Sequence, residues 1–304
     1  MHAYGTDEQK RRWLRPSFSN EEIWCQLFSE PGAGSDLAGL ATMATRDGDE
    51  WVVNGQKVWT SYARHARWAI LLARTNPDVP KHRGLTFFIL DMHLPGVDVR
   101  PIRQADGTDH HFNEVFLTDV RAPDSLRLGD VGLGWAISVE GLSAEREGQG
   151  QHRAPFDDLL EVWRRRVPGT PAQERMWRDR MAQMWIRAEV GHKTVVRLRE
   201  LRTKGGAGND GAMTKVFGTE LSQDMGNLAL ELLGAEGQLG GEYQKMLDGT
   251  AEESTQLRAI RSRAASIEGG TNQILRTIIG ERILGLPGDV RVDKDIAWKD
   301  VRRS

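Results

Sequence analysis

One cysteine, Cys25, in 304 residues excludes an internal disulfide. A reducing compartment, the cytoplasm, is therefore expected. Charge of one sign is equally scarce. Lys and Arg number 41 against 43 Asp and Glu, a formal balance of −2, which leaves no electrostatic footprint for nucleic acid. No apolar run approaches the ~18 residues of a membrane span. The first residues lack the basic and apolar regions of a secretory signal. Repeats, low-complexity stretches, G-x-S-x-G and the P-loop are all missing. The eight histidines are scattered, and His110-His111 lacks ligand-like spacing to other residues, so no metal is expected. Residues 32–37, GAGSDL, carry two Rossmann glycines but lack the third and any surrounding βαβ unit, which argues against NAD. What is present is 39% apolar residues, enough for substantial cores, and a length that suits two domains of about 150 residues. Most of the ten tryptophans are expected to be core packing.

The chain divides by pattern. Residues 7–15 read as a helix stopped by Pro16. Short apolar or alternating runs follow at 23–28, 42–46, 51–53, 57–59, 68–73, 85–91 and 115–117. Asn54-Gly55 between two of them is a hairpin signal. An antiparallel β-barrel or sandwich is expected over 17–128. From 129 to 288 the pattern is helical, with helices expected at 132–150, 155–166, 170–203, 212–233, 251–265 and 272–284. Thr170-Pro171 with Gln173 reads as a capping box, and Lys204-Gly205-Gly206 as a stop. The last helix should bury Ile274, Leu275, Ile278, Ile279, Ile283 and Leu284, and end at Gly285 and Pro287. Residues 289–304 form a charged tail, expected to be peripheral. The fold class is α+β, a β-domain followed by a helical bundle.

Four stretches carry candidate chemistry. At 26–36, QLFSEPGAGSD, glycines would let backbone N–H groups approach a ligand, and Ser29 and Ser35 offer hydroxyls. The alternative is an ordinary Pro-Gly turn. At 53–61, VNGQKVWTS, Trp59 could flank a planar ring while Thr60 and Ser61 bond its polar edge; a tryptophan packed in the β-core is the alternative. At 141–146, GLSAER, Glu145 and Arg146 lie about 100° apart on a helix, so only one can face a pocket. A solvated helix face is the alternative. At 267–273, IEGGTNQ, a helix N-terminus offers N–H groups to an anion such as a pyrophosphate, or Thr271 simply caps the helix. A turn at 231–237, ELLGAEG, is a weaker signal.

The first stretch closely resembles the flavin-binding signature of acyl-CoA dehydrogenases, and the resemblance extends over residues 4–287. It is strong at QLFSEPGAGSD, NGQKVWTS and GGTNQILRTIIGERILGLP. It implies bound FAD, contacted by Gln26, Phe28, Ser29, Gly34, Ser35, Trp59, Thr60, Ser61, Gly234, Thr271 and Gln273. Ser35 and Arg146 would meet the substrate. In the isovaleryl and long-chain branches the catalytic base is a glutamate just before that arginine, here Glu145. In the medium-chain and short-chain branches it is the glutamate of a YEGT motif. Gly269 falls at that position and would contribute a backbone N–H, while Glu268, one residue early, is the alternative base.

Two departures stand out. Family members carry a helical domain ahead of YGTDEQK, so residues 1–16 would be its remnant, through a late start, a truncation or a partner-subunit role. The Arg-x-Gln-Phe-Gly motif that holds FAD across the dimer in many members is absent. The implied function is FAD-dependent α,β-dehydrogenation of an acyl-CoA thioester, with an electron-transfer flavoprotein as acceptor and a homodimer, tetramer or heteromer as assembly. The alternatives are an acyl-CoA oxidase, or a non-catalytic or truncated partner subunit.

Overall fold

The computed structural model describes residues 1–301 except 106, 108, 110, 149–153, 205–209 and 240–254; for 143–148, 154, 155, 202 and 210 it describes the backbone alone. The chain forms two compact units, Met1–Gly141 with Asp289–Ser304, and Leu142–Gly288.

The first unit opens with α1 (Asp7–Phe18). Thr6 and Gln9 close a reciprocal capping box at its start, with bonds of 3.0 and 3.2 Å. The helix does not stop at Pro16. The proline forfeits one internal bond, yet the final turn still closes through Ser19 N–H to the Arg15 carbonyl at 2.9 Å. Gln9 is buried and donates to the Ser125 and Arg127 carbonyls, both at 3.0 Å, which pins α1 to the β-domain.

Eight strands follow: β1 (Trp24–Leu27), β2 (Met43–Asp47), β3 (Glu50–Ser61), β4 (Trp68–Arg74), β5 (Leu85–Asp91), β6 (Val97–Pro101), β7 (Phe112–Pro123) and β8 (Arg127–Leu128). Their order is β6-β7-β3-β2-β4-β5-β8, with β1 paired to β4. Most junctions are antiparallel as expected, but β1–β4 and the single β2–β4 contact at Met43 and Arg74 are parallel. The sheet is therefore mixed.

Asn54-Gly55 is not a hairpin. It lies inside β3, where a Cβ on Gly55 would come within 2.3 Å of Thr42 Oγ1, so the glycine admits the neighbouring chain. The reversal between β2 and β3 occurs at Gly48-Asp49, with Gly48 at φ +62°. The core gathers inward residues such as Leu27, Val53, Leu71, Phe88, Val115 and Val120. Each contributes about 1.5–3 kcal/mol by burial. The tail is not wholly peripheral: Trp298 is buried and its indole N–H donates to the Gly39 carbonyl at 3.1 Å.

Helix α2 (Gly134–Gly148) precedes α3 (Ala154–Arg165), α4 (Pro171–Thr203), α5 (Asp210–Leu233), α6 (Thr255–Ala265) and α7 (Asn272–Ile278). Thr170 and Gln173 cap α4 reciprocally, at 2.9 and 3.4 Å. The expected stop at Gly205-Gly206 lies outside the described residues. Leu159 and Val162 of α3, Trp177, Met181 and Ala188 of α4, and Leu221, Met225, Leu228 and Leu232 of α5 form the second core. Their spacings of three, four and seven put each set on one helix face.

The last helix departs from expectation. After Ile278 it widens into a π-helical stretch, Ile279–Ile283. Of the six apolar residues expected inward, Leu275 is fully buried, Ile278 and Ile279 are half-buried, and Ile274, Ile283 and Leu284 are exposed. A π-turn breaks the 3.6-residue period and so accounts for Ile283 and Leu284, while Ile274 precedes it and is exposed on the regular helix. Among the described residues no helix is long and apolar enough to cross a membrane.

Candidate functional site

In the first unit the two leading motifs lie side by side. Val58 N–H donates to the Ser29 carbonyl at 2.9 Å, joining the loop after β1 to β3. Beneath the junction lies a buried ion pair that the sequence reading missed. Lys57, with no exposure, donates to Glu30 Oε1 at 2.9 Å, the Phe28 carbonyl at 2.9 Å and the Leu72 carbonyl at 2.8 Å. Glu30 also accepts from the Ala41 and Thr42 N–H groups at 2.6 and 2.8 Å. Burial draws the Lys57 pKa down to about 8 against the opposing charge of Glu30. Burial would raise the Glu30 carboxyl, but Lys57, Thr42 and Ala41 together hold it below its usual value. The signal in the sequence was slight: one lysine within β3 and one glutamate in the loop after β1.

Above this pair the backbone is shaped for exposure. Between Lys57 and Thr60 the register with β7 shifts, a bulge that puts Trp59 at φ +60° with its side chain 59% exposed. A bulky residue in that conformation is rare and strained. Trp59 meets Phe112 only edge-on, at 6.0 Å between ring centroids. Thr60 is buried, and its hydroxyl oxygen has no hydrogen-bond partner within the protein. Ser61 Oγ lies 3.4 Å from His111 Nε2.

In the preceding loop Glu30 and Ala33 exchange backbone bonds of 3.1 and 3.0 Å, closing a tight turn. Gly34 and Ser35 are exposed, and a Cβ on Gly32 or Gly34 would meet nothing within 4 Å. Packing does not demand these glycines; open space above them does leave their backbone accessible. Gln26 is exposed, Ser29 is half-buried, and Phe28 is half-buried against Phe87 at 5.4 Å. An exposed, strained indole, an unsatisfied buried hydroxyl and an open glycine loop fit a planar ligand with polar edges. Cys25 offers no thiolate: burial pushes its pKa up to about 12.

In the second unit α2 carries Glu145 and Arg146, whose side chains lie outside the described ones. Gly269 and Gly270 sit at φ +64° and +97°, a turn that glycine alone adopts readily. It is fixed from below by Lys215, which donates to the Gly270 carbonyl at 2.8 Å and Asn272 Oδ1 at 3.1 Å. Thr271 caps α7, accepting from Ile274 N–H at 3.2 Å, and Gln273 is exposed.

Glu268 is committed elsewhere: both of its oxygens face the Arg261 guanidinium, at 2.8 and 3.2 Å. That pair rims a cavity of ≈ 360 Å³ between α3, α5 and α6. Gly234, at φ +57°, ends α5, while Glu231 bonds Trp177 and Arg180. Among the described residues no group of His, Cys, Asp and Glu is placed to hold a metal.

Residues 25–120 match the acyl-CoA dehydrogenase middle domain, and residues 132–284 match the acyl-CoA dehydrogenase C-terminal domain. The acyl-CoA dehydrogenase FadE34 of Mycobacterium tuberculosis is 39% identical over 93% of this chain, which spans 38% of that protein. The Tcur3481-Tcur3483 steroid ACAD superposes with a TM-score of 0.83 at 29% identity, over 95% of this chain and 74% of that one. The ChsE4-ChsE5 complex from Mycobacterium tuberculosis gives 0.78 at 32%, over 95% and 75%. The chain thus belongs to the acyl-CoA dehydrogenase family of FAD-dependent oxidoreductases.

Proposed function

We propose that this chain takes part in the FAD-dependent α,β-dehydrogenation of an acyl-CoA thioester. The observation that carries the reading is the bulge: Trp59 held exposed at φ +60°, one residue from the Val58 bond to the Ser29 loop and next to Thr60, whose buried hydroxyl is unsatisfied. Trp59 would flank the flavin ring. Thr60 and Ser61 would bond its polar edge, with Gln26, Phe28, Ser29, Gly34 and Ser35 lining the adjoining loop. FAD, when bound, supplies the hydride acceptor that no side chain provides.

The remaining steps fall to the helical unit. Glu145 takes the α-proton as general base. The Gly269 backbone N–H faces the thioester oxygen as negative charge builds there. Arg146 shapes the substrate site, and Gly234, Thr271 and Gln273 complete the cofactor contacts. The ion pair of Glu268 with Arg261 supports Glu145 over Glu268 as base, because a paired carboxylate must leave its partner before it can accept a proton. An electron-transfer flavoprotein is the proposed acceptor. The steroid ACAD likeness makes a steroid-derived thioester the first substrate to try.

A second reading, a subunit of a heteromer, is supported by the likeness to the ChsE4-ChsE5 complex and by the exposed Ile283, Leu284 and Leu286. The test is the visible spectrum of the purified chain with added FAD, followed anaerobically with an acyl-CoA. A bound-flavin spectrum that bleaches upholds the dehydrogenase, and Glu145→Gln should then keep the flavin and abolish bleaching. A chain that binds flavin only when mixed with a related subunit upholds the heteromer. A chain that ignores FAD alone and in such mixtures refutes both.

A further inference from the structure

We propose that the C-terminal segment 293–301 is a brace for the ligand loop at residues 35–40, and that Lys81 is the positioning residue through which it acts. What the loop binds rests on the flavin reading above; the existence of the brace does not.

The segment lies beyond the matched C-terminal domain, which ends at residue 284, and packs within the first unit. Its backbone docks on the β4–β5 connection: Trp298 N–H donates to the Val79 carbonyl at 2.9 Å, and Lys299 N–H to the Pro77 carbonyl at 3.1 Å. The Trp298 indole N–H then reaches the Gly39 carbonyl of the ligand loop at 3.1 Å. Its ring lies 4.2 Å from the Arg74 guanidinium. Arg74 is fully buried and donates to the Ala38 and Leu40 carbonyls, at 2.6 and 3.1 Å, so tail and guanidinium hold the same short turn from two sides.

Lys81 makes the third connection. Its ammonium lies 2.6 Å from Asp293 Oδ2 of the tail and 3.0 Å from Asp36 Oδ2 of the loop. The Lys81 side chain is 12% exposed, against 30% for Asp293 and 61% for Asp36, so the tail contact is the better shielded of the two and the Asp36 contact is open to water on its outer side. The Asp36 carboxylate folds back over Gly39, where a Cβ would lie only 2.9 Å from it. Asp36 directly follows Ser35, the exposed hydroxyl of the loop. An ion bridge from tail to loop thereby sets the backbone that presents Ser35. Backbone fixed before a ligand arrives need not be ordered on binding, which is where affinity would be gained.

The test uses the full chain as Lys81→Met, Asp293→Asn, Trp298→Phe and the charge-preserving Lys81→Arg. Amide hydrogen exchange is measured first, without flavin. The Gly39 and Leu40 N–H groups, bonded to the Asp36 and Leu37 carbonyls, are expected to exchange about tenfold faster in the first three variants, the scale of one charge-assisted hydrogen bond. Lys81→Arg should restore protection, and amides of β4 and β5 should not change. Flavin affinity is expected to fall by a similar factor in the same three variants and to recover in Lys81→Arg.

Unchanged exchange at Gly39 and Leu40 overturns the brace. Faster exchange with unchanged flavin affinity overturns its positioning role. A wild-type chain that binds no flavin refutes the flavin reading, and the brace is then decided by exchange alone.

Discussion

At Lys57 an ammonium with no exposure to water meets one carboxylate and two carbonyl oxygens, 27 residues from its ionic partner Glu30. Both leading motifs hang on this point, since Glu30 belongs to one and Lys57 to the other. Removing one member of a buried pair strands the other charge, which costs about 3–5 kcal/mol; replacing both is far milder. Lys57→Met should therefore lose stability on that scale in urea unfolding, and Glu30→Gln/Lys57→Met should recover much of it. The acid limb follows from Glu30. Its folded pKa lies below the usual 4.5, so its contribution is complete above that value and lost as pH falls through the lower folded value. In Lys57→Met the favourable charge is gone, and acid unfolding should begin at higher pH.

At the scale of the element, the bulge in β3 carries local strain at Trp59. Left-handed backbone in a bulky residue costs roughly 1–2 kcal/mol, and Trp59 recovers little of this by burial because its side chain is 59% exposed. Asn tolerates that conformation. Trp59→Asn should thus leave the melting temperature of the flavin-free chain within a few degrees of wild type, while flavin binding weakens at least tenfold by titration. Equal losses of stability and binding would assign Trp59 to packing instead. The sequence showed the residues of this element but not its form. Asn54-Gly55 has the local chemistry of a hairpin turn, yet β3 continues through it with a register shift against β7 between Val53 and Gly55, and Thr42 packs where a Cβ on Gly55 would lie. In the same way α7 carried a regular apolar stripe in sequence, and the π-helical stretch after Ile278 turned part of it outward.

For the whole molecule, the tail brings pH dependence to the first unit. Lys81 faces Asp36 and Asp293, with His82 and Arg291 nearby. Hydrogen bonding to Lys81 lowers the Asp293 pKa, so that carboxylate contributes fully above 3.8 and is lost as pH falls through its folded value. Burial would lower the Lys81 pKa, but Asp293 and Asp36 outweigh it and raise the value, so its contribution is lost only as pH rises beyond 10.5. Burial, with Lys81, lowers the His82 pKa, so protonation below 6.5 favours the unfolded chain. The melting-temperature gap between wild type and Asp293→Asn should hold from about pH 7 to 10 and close in acid below 3.8.

What the amino-acid order determined by itself was local. The capping box at Thr170, the spans of α3 and α5, the apolar run of β5 and the separation of a β-half from a helical half all depend on chemistry repeated within a few residues. Tertiary structure decided what joins distant points: the parallel pairing of β1 with β4, the burial of Lys57 on Glu30, and the return of Trp298 to Gly39 across 259 residues. Such contacts leave no period in the sequence, because the entropy of closing a long loop grows only slowly with its length and many partners are sterically open to each residue. Packing selects among them only when the whole unit is assembled.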